Sequence, residues 1–425
     1  MPMYSLVYAD EQGRLFDYPE LTLVGRSGNL LVEPVEEEMI PLPPGASLTL
    51  VPYSYPVGLT HGGEFKKLPS HPVTGGRVFA VGALLPQGYT RTLLPGYQRE
   101  KNNKWLPLLG YAAVGFRDGC FYVAANQTDN PSKWDPGNYN TEGLRELVEK
   151  RLELNRQNRI LQQLAKCSLE YGCLTAQNIF YRRWEGGLPV SPQCNARCLG
   201  CISEQPAECC PSPQARINFQ PELNELLEVA VPHLEEAPEG IISFGQGCEG
   251  EPSLAAPLIT AAIKEMRKLT RQGTVNINTN AGYTEGIAAI CTAGLDAMRV
   301  SIISPTPAIY EAYYRPRGYS LEDVRRSILV AKEKGIYVSL NLLTMPGVTD
   351  REEETGALLD FVRSTGVDLI QLRNLNIDPD RLMGVLALPE EEPLGIPGFL
   401  EVLRQELPEV EIGNFSRPIP KGFRG

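Results

Sequence analysis

Ser191-Pro192-Gln193-Cys194-Asn195-Ala196-Arg197-Cys198-Leu199-Gly200-Cys201 sets three cysteines at the spacing C-x3-C-x2-C. A cubane iron–sulfur cluster normally takes four thiolates, so a compact loop offering three leaves one iron with an open coordination position. A substrate or cofactor can bind at that position, and chemistry can begin there. Zinc is the competing reading, but structural zinc sites usually pair two C-x2-C or C-x4-C elements or add histidine. The only histidines are His61, His71 and His233, and none lies near the trio. Cys209 and Cys210 stand a little further on as a fourth ligand for a closed zinc or electron-transfer site.

The flanks of this loop alternate strand and helix. Strand patterns lie at 178–184, 240–244, 275–279, 297–302, 336–342 and 367–372. Helical patterns lie between them, such as 255–271 before Gly273 and 320–334 before Gly335. Six strands with their helices fit an α/β fold, an open partial (β/α)6 barrel over 178–382. In such barrels the loops after the strands converge at the C-terminal mouth. The cysteines follow the first strand and a glycine-rich loop follows the second. Residues 1–125 read as a β-rich domain, with strand patterns at 21–24, 47–51, 77–81 and 120–123 broken by Pro and Gly turns. Residues 126–177 form a polar linker and one long amphipathic helix over 142–167, and 383–425 form a C-terminal extension.

Each loop at the mouth carries polar groups. Phe244-Gly245-Gln246-Gly247-Cys248-Glu249-Gly250-Glu251-Pro252 combines small residues, which admit a ligand to the backbone, with a carboxylate suited to an ammonium group. Asn280 ends the third strand where it can bond a sugar. Asp350, in Met345-Pro346-Gly347-Val348-Thr349-Asp350, is placed to cap the following helix. Residues 373–378 bring polar groups to where a substrate would sit.

These stretches together resemble the radical S-adenosylmethionine (SAM) superfamily, over about residues 178–380. The resemblance implies a [4Fe-4S] cluster on Cys194, Cys198 and Cys201. It implies SAM on the spare iron, with its amino group held by the Gly250-Glu251-Pro252 loop. Ser301 and Arg315 match by spacing the strand-end serine and later arginine that surround the SAM carboxylate and ribose. The implied reaction is one-electron cleavage of SAM to methionine and a 5′-deoxyadenosyl radical, which takes hydrogen from a substrate. The implied electron donor is a ferredoxin or flavodoxin. One position departs from the family: an aromatic residue usually precedes the third cysteine, and here it is Gly200. Cys248, inside the cofactor loop, offers a thiol at the mouth that can anchor substrate or relay a hydrogen atom.

Composition bounds the alternatives. With 425 residues, 40 Lys and Arg and 51 Asp and Glu, the net charge of -11 opposes a broad phosphate-binding surface, so nucleic acid is an unfavoured partner. No stretch approaches the roughly 20 apolar residues of a membrane helix. The opening residues show no signal core, and a reducing cytoplasm is expected. Substrate is a small molecule or a peptide. Two other readings remain: a non-catalytic iron–sulfur electron carrier or metal-binding module, and a protein- or peptide-modifying enzyme with the N-terminal domain as docking module. Every motif assigned to cluster and cofactor lies between Cys194 and Arg315. The N-terminal domain is therefore expected to govern substrate engagement and to be dispensable for SAM cleavage.

Overall fold

The computed structural model describes residues 4–101, 104–206, 209–386, 388 and 391–420. Its centre is a parallel sheet in sequential order. The strands are Glu185–Gly187, Ile241–Phe244, Thr274–Thr279, Ala297–Ile302, Tyr337–Thr344 and Leu369–Asn374, followed by a seventh, Glu411–Gly413. Each pairs in parallel with the next, so the sheet is the curled partial barrel that the sequence pattern implies. The last strand comes from the C-terminal extension and enlarges the expected six.

The strands alternate with period two, which sorts their side chains between two faces. Val275 and Ile277, Met298 and Val300, Leu340 and Leu342, and Ile370 and Leu372 belong to one continuous apolar core. They share it with the amphipathic helices Ala256–Leu269, Thr284–Ala293, Leu321–Glu333 and Glu352–Thr365. The intervening positions are polar: Asn276 and Asn278, Arg299 and Ser301, Ser339 and Asn341, Gln371 and Arg373. They form the inner wall of the barrel.

Two elements differ from expectation. Residues 178–184 are not a strand: Leu174–Tyr181 is a helix, stopped by Arg182 at φ 54°, and the first strand begins only at Glu185. The apolar run Ile179-Phe180-Tyr181 suits either element, and its packing into the core as a helix decides the matter. The long helix is two helices, Leu144–Leu154 and Arg159–Leu169. Asn158 caps the second, its side chain accepting from Leu161 N at 2.9 Å.

The N-terminal region is an antiparallel assembly, one sheet of eleven strands and one of three among the described residues. It sits on the barrel mouth. Asn374, at the end of the sixth strand, accepts from Arg91 N and donates to Tyr89 O, both at 2.9 Å, as a neighbouring strand would. Asp378 accepts from Leu106 N and from Arg99, both at 2.7 Å. Gly28 N donates to Pro346 O at 2.9 Å. The buried Arg91 donates to Leu375 O at 2.7 Å. Asp350 does not cap a helix. Its carboxylate accepts from Gly347 N at 2.6 Å and closes the turn, and the next helix begins at Glu352 behind Arg351.

Candidate active site

Cys194, Cys198 and Cys201 line one end of a cavity of about 600 Å³ in the barrel mouth. Their loop is held by backbone bonds from two directions. Gly250 N donates to Ser191 O and Glu251 N to Gln193 O, both at 2.7 Å, tying it to the second loop. Arg197 N donates to Tyr314 O at 2.9 Å, Leu199 N to Tyr313 O at 3.0 Å, and Arg317 N to Asn195 O at 2.8 Å, tying it to the end of helix Pro307–Tyr314. A Cβ on Gly250 would lie 2.0 Å from Gln193 O, so only glycine permits this approach. At Gly200 a Cβ would meet the Tyr313 hydroxyl at 2.9 Å and Asn376 O at 3.2 Å, so the backbone before the third cysteine runs close against both.

Burial pushes the Cys194 thiol up to about 11 and Cys198 well above the ordinary thiol value. Buried thiols in this state become thiolates when cationic iron binds, because the metal charge replaces the lost hydration. Arg216 lies 3.6 Å from the Cys201 sulfur, and Ser203 lies 3.7 Å from it. Three thiols on one cavity wall are the donor set of an iron–sulfur cluster with one open position.

Two carboxylates organise the second loop. Glu249 was not singled out by the sequence, yet it is fully enclosed. One oxygen accepts from Val190 N and Ser191 N and the other from Gly245 N and Gln246 N, all at 2.8 Å. It thereby joins the loops after the first two strands. Burial raises its carboxyl to about 7 against the pull of those four donors, which favour the charged form. Glu251 accepts from Ser253 N at 2.9 Å, from Asn280 N at 2.8 Å and from the Thr279 hydroxyl. Burial raises this carboxyl too. A carboxylate has about four acceptor sites, so three donors leave one for a ligand at the cavity wall.

The structure brings Gly250, Glu251, Pro252, Asn280 and Ser301 to the same cavity as the cysteines. Asn280 also donates to Asn195 of the cysteine loop at 2.7 Å. Arg315 is not brought in. It is exposed at φ 49° beyond the helix end, and its segment serves the cysteine loop through backbone bonds. The arginines at the cavity are Arg216, Arg299 and Arg373. Cys248 is likewise turned away: it is buried, absent from the cavity wall, and its thiol contacts that of Cys167 in the core. Cys209 and Cys210 lie outside the cavity, their sulfurs 3.5 Å apart, and Arg381 reaches Cys209 at 2.8 Å. Sequence reading also missed Gln87 and Trp134, which the N-terminal region and the linker contribute to the wall. Arg373 was expected among the substrate-facing residues 373–378; Arg216 and Arg299 were not, although Arg299 left a signal, since polar residues at alternate positions of parallel strands are out of place unless they face a site.

Several solved structures are similar in part. Methylornithine synthase (PylB) matches at 15% identity, over 63% of this chain and 78% of that one, with a TM-score of 0.39. The FeFe-hydrogenase maturase HydG from Carboxydothermus hydrogenoformans matches at 15% identity, over 67% and 72%, with a TM-score of 0.38. The radical S-adenosylmethionine methyltransferase TsrM from Kitasatospora setae matches at 17% identity, over 45% and 35%, with a TM-score of 0.33. No curated protein sequence matches the chain. Residues 188–359, which run from just before the cysteine loop into the helix after the fifth strand, match the Radical SAM superfamily model. The chain therefore carries a domain of the radical SAM superfamily, set in a partial α/β barrel.

Proposed function

We propose that this enzyme holds a [4Fe-4S] cluster on Cys194, Cys198 and Cys201, binds SAM against Glu251, and uses the pair to take hydrogen from a small-molecule or peptide substrate. The observation that carries this reading is the convergence of the three thiols and the Glu251 carboxylate on one cavity. When bound, the pair supplies one-electron cleavage of the cofactor's sulfur–carbon bond.

The chain's own residues have separable tasks in this reading. Glu251, pinned by three donors, offers its remaining acceptor position to the cofactor ammonium. Its buried charge favours a cationic partner over water. Asn280 and Ser301 line the adjoining wall with groups that both donate and accept, suited to ribose and carboxylate oxygens. The N-terminal region, seated over the loops after the fifth and sixth strands, shields the cavity from water, which a radical reaction requires to avoid quenching. The electron comes from a ferredoxin or flavodoxin type of donor.

The test is anaerobic reconstitution with iron and sulfide, followed by dithionite-driven turnover of SAM. Full cluster loading and 5′-deoxyadenosine formation by the wild-type chain, both lost when the three cysteines are changed to alanine, are expected. Retention of the whole cluster by that triple variant would overturn the assignment. Redox cycling of the cluster without 5′-deoxyadenosine would instead mark a simple electron carrier.

A further inference from the structure

The inner wall of the barrel carries two guanidinium groups that nothing in the cofactor assignment uses. Gln371 and Arg373 share one face of the sixth strand, two residues apart. Arg299, on the fourth strand, reaches across to Gln371 Oε1 at 3.3 Å and to the Ser416 hydroxyl at 3.2 Å. Arg373 donates to Gln87 Oε1 at 2.7 Å and to Asn414 O at 3.1 Å. Every one of these acceptors is neutral. Among the described residues neither arginine forms an ion pair.

The neighbouring Glu185 offsets the Arg373 charge only in part, and no carboxylate pairs directly with either arginine. Glu185 accepts from the Ser243 hydroxyl at 2.7 Å, and Glu249 and Glu251 are committed to backbone and hydroxyl donors. Arg216, the third arginine of the cavity, pairs with Glu204 at 2.6 Å. Burial, and then the adjacent Arg299 charge, lowers Arg373 to about 10. The Arg299 Nε and the Asn341 Oδ1 are buried without any hydrogen-bond partner, and both residues line the cavity. An anion between the guanidiniums offsets the two like charges and accepts from the Arg299 Nε, while the Asn341 Oδ1 suits a donor elsewhere on the same ligand.

Resting on the radical SAM reading, we infer that the substrate is a small molecule bearing an anionic group, a carboxylate or a phosphate, which docks between Arg299 and Arg373 beside Asn341 on the inner wall. The planar guanidinium fork suits either group bidentately. The anion fixes one end of the substrate and leaves its other end toward Ser301 and the cofactor. Gln87 holds Arg373 from the N-terminal region, which gives that region a direct part in the same pocket.

Titration of SAM-saturated, reconstituted enzyme with acetate and, separately, with inorganic phosphate tests this by calorimetry and by thermal shift. Saturable binding of one or both anions is expected, weakened at least tenfold in Arg299→Met and in Arg373→Met and partly restored in Arg373→Lys. Preference for acetate assigns a carboxylate, and preference for phosphate assigns a phosphoryl group. An equal response of wild type and both methionine variants, or no saturable response of the wild type, overturns the proposal. A parallel loss of SAM affinity in the methionine variants also overturns it, by giving the arginines to the cofactor's own carboxylate. The same titration on metal-free protein reads the arginines alone, so failure of the cluster assignment shows in iron analysis and stays separate from failure of the anion site.

Discussion

At the scale of single residues, the site turns on two glutamates two positions apart with opposite duties. Glu249 spends both oxygens on four backbone N–H groups and so builds the junction of the first two loops. Glu249→Gln keeps the volume but turns an amide NH2 toward two of those donors. Each orphaned buried group costs about 1–3 kcal/mol. The variant is therefore expected to melt earlier and to lose iron on desalting, as read by a thermal scan and iron analysis. Near-normal stability would mean that the junction does not depend on the carboxylate. Glu251→Gln is expected to spare the iron and weaken SAM binding by about 1.5–3 kcal/mol, roughly ten- to a hundredfold, in an equilibrium titration. Unchanged affinity would remove Glu251 from the cofactor site. The motif made Glu251 legible, because its neighbours Gly250 and Pro252 mark the loop. Nothing in one dimension says that Glu249 faces inward to the N–H groups of residues 190 and 191, since that closure depends on how two distant loops meet.

At the scale of elements, the first strand is the most exposed to error and to acid. It is three residues long, and its entry is fixed by His233, whose Nε2–H donates to Trp184 O at 2.8 Å. Burial lowers His233 to about 4 from an ordinary 6.5. The neutral ring is native, so the unfolded chain binds the extra proton first. The stability this confers is fully present above pH 6.5 and is lost as pH falls toward 4, to an extent of about 3 kcal/mol. In His233→Gln, which keeps a donor but cannot titrate, denaturant unfolding between pH 7 and 4.5 is expected to lose that part of its slope; an unaltered slope would assign the acid sensitivity elsewhere. The same strand was misread in sequence because Ile179, Phe180 and Tyr181 satisfy strand and helix patterns alike, and tertiary packing chose helix. The later strands were legible to within a residue or two, as each is a run of apolar residues between a helix and a polar loop. Their alternating polar positions carried more than the strand boundaries did, because Arg299, Asn341 and Arg373 mark the face that looks into the cavity.

At the scale of the whole molecule, the N-terminal region and the barrel are bound together more intimately than their separate sequence patterns imply. Motif positions alone suggested that the barrel could cleave SAM without residues 1–140. The contacts argue otherwise. Asp378, almost fully buried, holds Arg99 and Leu106 N from the N-terminal region and also Asp380 N at the start of its own helix. Arg91 and Asn374 join the two parts in the manner of a sheet, and Gln87 reaches the cavity itself. None of these pairings has a signature in sequence, since each links residues some 280 positions apart, as with Asn374 and Arg91. A chain starting at Thr141 would leave the Asp378 Oδ2 and the Asn374 amide without partners and open the cavity wall at Gln87. It is expected to be poorly soluble or to lose its cluster, and so to form no 5′-deoxyadenosine. The milder variant Arg99→Met tests the same contact in the full chain. Breaking a buried ion pair from one side costs about 3–5 kcal/mol, and partial exposure of Arg99 places the expected loss at or below the lower end of that range. Cluster loading in Arg99→Met should then survive at low temperature and fail earlier than wild type on warming. If instead the chain from Thr141 folds, holds four irons and cleaves SAM at the wild-type rate, the mouth is complete without its roof, and the N-terminal region serves substrate alone.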